Sequence, residues 1–263
     1  MTQAAALRPD LSTVATSDLE RAFLELSRAP AGVVVTKAFL SAVRLGQIWP
    51  ALSALAGLDA PTVALILGAA LTEREARPPA RIELVWTGGE AKTAYARPTG
   101  SVIREVFEQA ERHVLIAGYS FDHGASILEP LHSRMLSHDV CVDLYLHVDR
   151  ARAGADVAAH LRREVATFFA VNWPFGTPHP VIYVAPRTIE PSLQESLHAK
   201  CVVADERVAV LGSANFTDRG QSRNIEVGAR IEDSGFARAL VAQFRAATNA
   251  GVFRPVDADG ERG

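Results

Sequence analysis

Between residues 198 and 226 the chain places polar residues in alternating pairs: His198 and Lys200, Ser213 and Asn215, Asn224 and Glu226. Successive side chains of a β-strand point to opposite faces, so extended backbone puts both members of each pair on one side. Three such strand ends, brought together, present an imidazole, an ammonium, a hydroxyl, two amides and a carboxylate to one spot. Half-buried strands ordinarily carry small or apolar residues there, so this concentration of polar groups asks for a partner outside the core. The chemistry that uses all of these groups is phosphoryl transfer. An imidazole nitrogen attacks phosphorus and becomes phosphorylated, the lysine and amides stabilise charge on the non-bridging oxygens, and a carboxylate holds the imidazole tautomer. That arrangement needs no metal, and no cluster of Asp and Glu is available to bind one, so no cofactor is expected.

The elements that must hold these groups follow from the apolar pattern. From Arg81 the chain alternates strand-like and helix-like segments: RIELVWTG, SVIREVFEQAER, HVLIAGYS, ASILEPLHSRMLS, VCVDLYLHV and DVAAHLRREVATFF. Apolar runs alternating with amphipathic helices predict an α/β domain whose sheet is buried on both faces. Asn172 to Pro180, with three prolines, reads as a loop. After it come VIYVA, then LHAKCVVA and RVAVLGSAN joined by a tight Asp205-Glu206 turn, then NIEVGARI and a helix from Ser234 to about Thr248. Residues 1–77 read instead as a small all-helical N-terminal region, a candidate partner-binding surface. Ser17 with Glu20 forms a capping-box pattern, Thr36 can cap KAFLSAVRLG with Gly46 as its stop, and Asp59 with Pro61 opens TVALILGAALTEREA. Arg77-Pro78-Pro79 breaks that pattern.

Composition narrows the function classes. A formal charge of −3 excludes a basic coat that would bind nucleic acid over the whole surface, though not a local basic groove. Cys141 and Cys201 sit in apolar runs without the companions of a zinc site or a disulfide framework, which suits a reducing compartment. No secretory leader is visible, and the most apolar run, Thr62 to Leu71, is too short to span a bilayer, so a cytoplasmic protein is expected.

His198, Lys200, Asp205, Gly212, Ser213 and Asn215 fit the pattern HxK(x)4D(x)6GSxN without a gap or substitution. That is the HKD motif, and the chain resembles the phospholipase D superfamily on it. The resemblance implies a phospholipase D-like domain, a mixed sheet flanked by helices, over residues 81–255. It also implies site roles: His198 as nucleophile, Lys200 and Asn215 as phosphate ligands, Ser213 as a supporting donor, and Glu226 as the acid orienting the histidine. Asp205 belongs to the motif but takes a structural role in the hairpin turn. A second resemblance is to the DrmC family of phospholipase D-like proteins from the bacterial DISARM anti-phage system. It rests on LVWTGGEAKTAYARPT, residues 84–99, ahead of the strand HVLIAGYSF, with Gly89 where that family more often has proline.

The chemistry requires two histidines, one attacking and one protonating the leaving oxygen. Of the eight histidines in the chain, His198 alone has a lysine two residues on. Superfamily members with one motif complete the site across a two-fold axis, so the resemblance implies a homodimer; a monomer with half a site is the alternative. Substrate class is left to the surroundings. Arg219 and Arg223 follow the motif, and Arg97 and Lys92 lie in the other candidate active-site loop. Such cations suit a polyanionic strand, although each alone reads equally as a solvated loop residue. Trp173 and Phe175 are candidates for stacking on a base or for ordinary packing. The expectation is a metal-independent nuclease acting on DNA or RNA in anti-phage defence, with other defence-system proteins as possible partners. Phospholipid hydrolysis or headgroup exchange, and a non-catalytic assembly role, remain open alternatives.

Overall fold

The computed structural model describes residues 9–12, 14–30, 32–76, 79–89 and 95–256. It divides into two compact units, Met1–Pro79 and Ala80–Gly263. In the first unit α1 (Thr16–Ser27), α2 (Lys37–Ala42), α3 (Trp49–Leu52) and α4 (Ala60–Glu75) enclose a core of their own. Leu19, Ala22 and Leu26 recur on one side of α1 and are fully buried, as a period near 3.6 dictates. Thr36 caps α2 through the Phe39 amide, 3.1 Å, and Asp59 caps α4 through the Thr62 amide, 2.8 Å, with Pro61 in the first turn. The other expected signals fall elsewhere: α1 begins at Thr16, which leaves Ser17 inside the helix, and α2 ends at Ala42, before Gly46.

The second unit is built on one mixed sheet. Its elements are β1 (Arg81–Thr87), β2 (Ala96–Pro98), α5 (Thr99–Glu108), β3 (His113–Gly118), β4 (Phe121–Asp122), α6 (Ala125–His138), β5 (Cys141–Leu146), α7 (Val157–Asn172), β6 (Val181–Val184), α8 (Pro186–Ile189), β7 (Cys201–Ala204), β8 (Val208–Gly212), β9 (Phe216–Thr217), α9 (Asp218–Ser222), β10 (Glu226–Glu232), α10 (Ser234–Asn249) and β11 (Arg254–Val256). Nine strands pair in the order β11-β6-β5-β3-β7-β8-β10-β1-β2, and β4 pairs with β9 apart from them. Strands β3, β5 and β6 run parallel, joined through α6 and α7; the β7–β8 hairpin runs antiparallel against β3 and hands on to β10 and β1.

Alternation along the central strands puts apolar side chains on both faces. Val114, Ile116, Val202 and Val210 join a core with α5, α6 and α7, while Leu115, Ala117, Val203 and Ala209 join a second core with α10. β1 and β10 differ. Their α5 side carries Val85, buried, but on the other side Ile82, Leu84, Trp86 and Val227 remain 66%, 44%, 37% and 52% exposed. Both cysteines are free; the buried Cys201 thiol is pushed up to about 12 by its burial, and Cys141 is exposed. Among the described residues no helix is long and apolar enough to cross a membrane.

Candidate active site

The sheet delivers the polar pairs to one edge. β7 begins where β8 ends, and β10 begins beside the end of β8, with Cys201 opposite Leu211 and Gly212 opposite Gly228. The ladder continues past the strand ends. Gly212 donates to the Lys200 carbonyl at 3.3 Å, and Ser213 to the Val227 carbonyl at 3.0 Å. Gly228 permits this closeness, since a Cβ there would stand 2.6 Å from the Leu211 carbonyl oxygen. His198 and Lys200 precede β7 rather than lying in it: the ladder of β7 with β3 ends at the pair Cys201–Ala117.

Within this edge the groups meet in two sets. Lys200 Nζ lies 2.9 Å from His198 Nε2 and donates to the His198 carbonyl at 3.0 Å. An ammonium has only donors, so Nε2 is the accepting, lone-pair nitrogen of that imidazole. Burial holds the Lys200 ammonium below its ordinary pKa, and the Glu226 carboxylate pulls it back upward. In the second set Ser213 Oγ donates to Glu226, which also accepts from Asn224 Nδ2 at 3.2 Å. The Ser213 oxygen accepts in turn from the Val227 amide at 3.2 Å. Glu226 therefore holds Ser213 and Asn224 within one chain, and no hydrogen bond joins it to His198 among the described residues. Asn215 is partly buried, and its side-chain Oδ1 has no hydrogen-bond partner among them.

The strand β1 closes the far side of this set. Thr87 pairs with Glu226, and Gly88, at φ +75°, packs so tightly that a Cβ would sit 2.2 Å from the Asn224 carbonyl oxygen. The Trp86-Thr87-Gly88 corner is thus built against the residues that carry the carboxylate.

The sequence matches the family described as cardiolipin synthase, PLD-like domain, over residues 103–248, more than half of the chain and all of the HKD motif. The chain belongs to this family. The match puts it in the PLD-like phosphodiesterase superfamily, whose members act on phosphodiester bonds. Solved structures with similar folds include Nuc of Salmonella typhimurium, a phospholipase D family member (15% identity, 67% of this chain and 98% of that one, TM-score 0.43). NucT from Helicobacter pylori is similar at 14% identity, 65% and 97% coverage and a TM-score of 0.46. Phosphatidylserine synthase of Haemophilus influenzae Rd KW20 is similar at 14% identity, 78% and 49% coverage and a TM-score of 0.47. No curated protein matches the chain.

The remaining residues singled out from the sequence of this PLD-like protein divide by position. Asp205 lies at the other end of β7 from His198, in a turn where it and Glu206 both have positive φ, 55° and 53°. Its carboxylate accepts from the amides of Glu111, Arg112 and His113 at 2.9, 2.8 and 3.0 Å. Burial alone would raise its pKa; those three amides outweigh it and hold the carboxyl below the usual value. The hydrogen bonds of Arg97 go to Glu83 at 3.1 Å and to Glu105, in a network that also neutralises the buried Arg230. Arg223 pairs with Asp218 at 3.1 Å. Arg219, on α9, is exposed, and its guanidinium has no partner among the described residues; α9 is tied to the site by Gln221 Nε2 donating to the Asn215 carbonyl at 2.8 Å. Lys92 lies outside the described residues. Trp173 is buried, with its indole nitrogen 3.2 Å from the carbonyls of Gly176 and Pro178, and Phe175 stacks on His132, so both serve packing. No three His, Cys, Asp or Glu side chains are grouped to hold a metal ion among the described residues. Sequence reasoning passed over two residues beside His198, Tyr119 and His147. The signal was available: each is the first polar-capable residue after a buried apolar run.

Proposed function

We propose that this protein is a metal-independent phosphodiesterase that cleaves nucleic acid through a phosphohistidine at His198, as a homodimer, in anti-phage defence of the DISARM type. The observation that carries the reading is the 2.9 Å contact of Lys200 Nζ with His198 Nε2, at the sheet edge where Ser213 also hydrogen-bonds Glu226. When a phosphodiester enters, the ammonium turns to a non-bridging oxygen and frees the lone pair of Nε2. Nε2 bonds to phosphorus as the P–O bond to the leaving group breaks, and a second histidine protonates the departing oxygen. Water deprotonated by that histidine then attacks phosphorus, and the P–N bond breaks to restore His198. In a single-motif chain the second histidine is the same residue of another copy. The uncovered side of β1 and β10 supports that assembly: Ile82, Leu84, Trp86 and Val227 form an apolar surface on the strands that carry Thr87 and Glu226, on their opposite face.

Arg219 favours a polyanionic strand over a lone headgroup, because it is an exposed cation, without an ion-pair partner among the described residues, on the helix anchored to Asn215. The DISARM role rests on the likeness of residues 84–99 to the DrmC family. The test is cleavage of single- and double-stranded DNA, RNA and phosphatidylcholine in EDTA, by wild type and His198→Ala. Nucleic-acid cleavage lost in the variant supports the reading. Cleavage of the lipid alone would reassign the substrate, and cleavage of nothing would leave an assembly role.

A further inference from the structure

We propose that Tyr119 and His147 are positioning residues for the nucleophile, Tyr119 as the ring that holds His198 and Lys200 in place and His147 as the clamp that fixes both that ring and the chain entering His198. The proposal rests on the reading of His198 as nucleophile. It begins with register. β3 and β5 are parallel neighbours with Gly118 opposite Leu146, so the next residues of each, Tyr119 and His147, emerge side by side, and the His147 amide donates to the Gly118 carbonyl at 3.1 Å. β7 runs antiparallel on the other side of β3 with Cys201 opposite Ala117, so the residues just before β7 return beside those just after β3. Sheet topology alone therefore lays His198 next to Tyr119.

The side chains complete the contact. The Tyr119 ring centroid is 4.6 Å from that of His198, tilted by 59°, and Lys200 Nζ stands 4.8 Å from the same centroid. One ring thus meets both members of the HxK pair, with the ammonium in cation–π range. His147 stacks on Tyr119 at 4.8 Å and 21°. Its own ring is fixed at both nitrogens. Nδ1 accepts from the amide of Leu197, the residue before His198, at 3.3 Å, and Nε2 lies 3.3 Å from Asp149 Oδ1. Accepting at Nδ1 puts the single proton of a neutral imidazole on Nε2, the nitrogen that faces Asp149. Burial keeps His147 below its ordinary pKa, with the Lys200 charge acting in the same direction, while Asp149 opposes them. The neutral form that the Leu197 bond requires is the favoured one. His198 itself is exposed, and its one side-chain hydrogen-bond partner among the described residues is the mobile end of Lys200, so without the Tyr119 ring its rotamer has little to hold it.

The experiment compares Tyr119→Phe with Tyr119→Leu, and His147→Asn with His147→Leu, in the full chain. Phe keeps the ring, and Asn keeps an acceptor in the place of Nδ1. Tyr119→Leu and His147→Leu are expected to lower kcat by about 10- to 100-fold with KM little changed, since misplacing a nucleophile by an ångström costs on that order. The conservative partners retain most of kcat. A second readout needs no substrate: in histidine-labelled protein followed by NMR, the His198 ring resonances move in both Leu variants and hold in Phe and Asn. If Tyr119→Leu does not fold, the His147 pair decides alone, because leucine fills that buried site with similar volume. Unmoved His198 signals, or equal losses in the Phe and Leu variants, overturn the proposal. Wild-type protein that cleaves no phosphodiester while His198 still responds to Tyr119→Leu would sink the catalytic reading and leave the positioning contact standing.

Discussion

Lys200 is the residue whose charge the site must protect. Its ammonium is held below its ordinary pKa by burial, with Glu226 supporting the charged form against that penalty. A lysine that must be cationic to bind phosphate loses function as pH rises through its pKa. Replacing Glu226 with Gln removes a carboxylate that raises that pKa, so the alkaline limb of the pH–rate profile shifts to lower pH; a pH series on wild type and Glu226→Gln measures it. Ser213 and Asn224 lose a charged acceptor in the same variant, so kcat at neutral pH falls as well, by about 10-fold or more. Arg219 and Arg97 separate at the same scale. Arg219→Ala is expected to weaken nucleic-acid binding and reduce its salt slope by about one ion, because it removes one phosphate contact. Arg97→Ala leaves that slope unchanged and lowers the melting temperature, because its bonds go to Glu83 and Glu105.

Among the elements, the β7–β8 hairpin carries the proposed catalytic residues at its open end and a structural anchor at its turn. Asp205 binds the three amides that lead from α5 into β3, so it fixes β3 against the hairpin. Asp205→Ala should cost about 2 kcal/mol of stability at neutral pH, the scale of hydrogen bonds to a charged group. Its folded pKa lies below the ordinary carboxylate value, so this contribution is present above that value and lost as pH falls through the folded one. Urea titrations at pH 7 and in acid check both parts: the gap between wild type and variant closes as the carboxylate is protonated, and specific activity of the folded variant stays near wild type. The motif was legible here because its spacing equals two strands and a two-residue turn. The start of β7 at Cys201 was not, since it depends on where the ladder with β3, far away in sequence, ends.

For the whole molecule, each unit has its own core. Leu19, Leu40, Leu52 and Leu67 stay within the first, and the sheet strands stay within the second. The exposed side of β1 and β10 gives the dimer a concrete test. Trp86→Lys places a charge on that surface, and sedimentation or light scattering at micromolar concentration should show wild type at twice the chain mass and the variant shifted to monomer, with cleavage lost in proportion. A wild type that is monomeric at that concentration would remove the second histidine from the mechanism.

What the sequence determined by itself was local or periodic. The HxK spacing, the polar pairs on extended backbone, the alternation of buried strands with helices and the caps at Thr36 and Asp59 are all relations between residues close in the chain. The tertiary structure decided what depends on strands meeting across large separations. It assigned Arg97 to carboxylates, turned Glu226 toward Ser213 and Asn224, packed Trp173 inside, and put Tyr119 against His198 with His147 stacked behind it. Those two residues lie 28 apart in the chain and more than 50 from His198. Only the order β5-β3-β7, with β7 antiparallel to β3, brings the three to one edge, and no spacing in the sequence encodes that order.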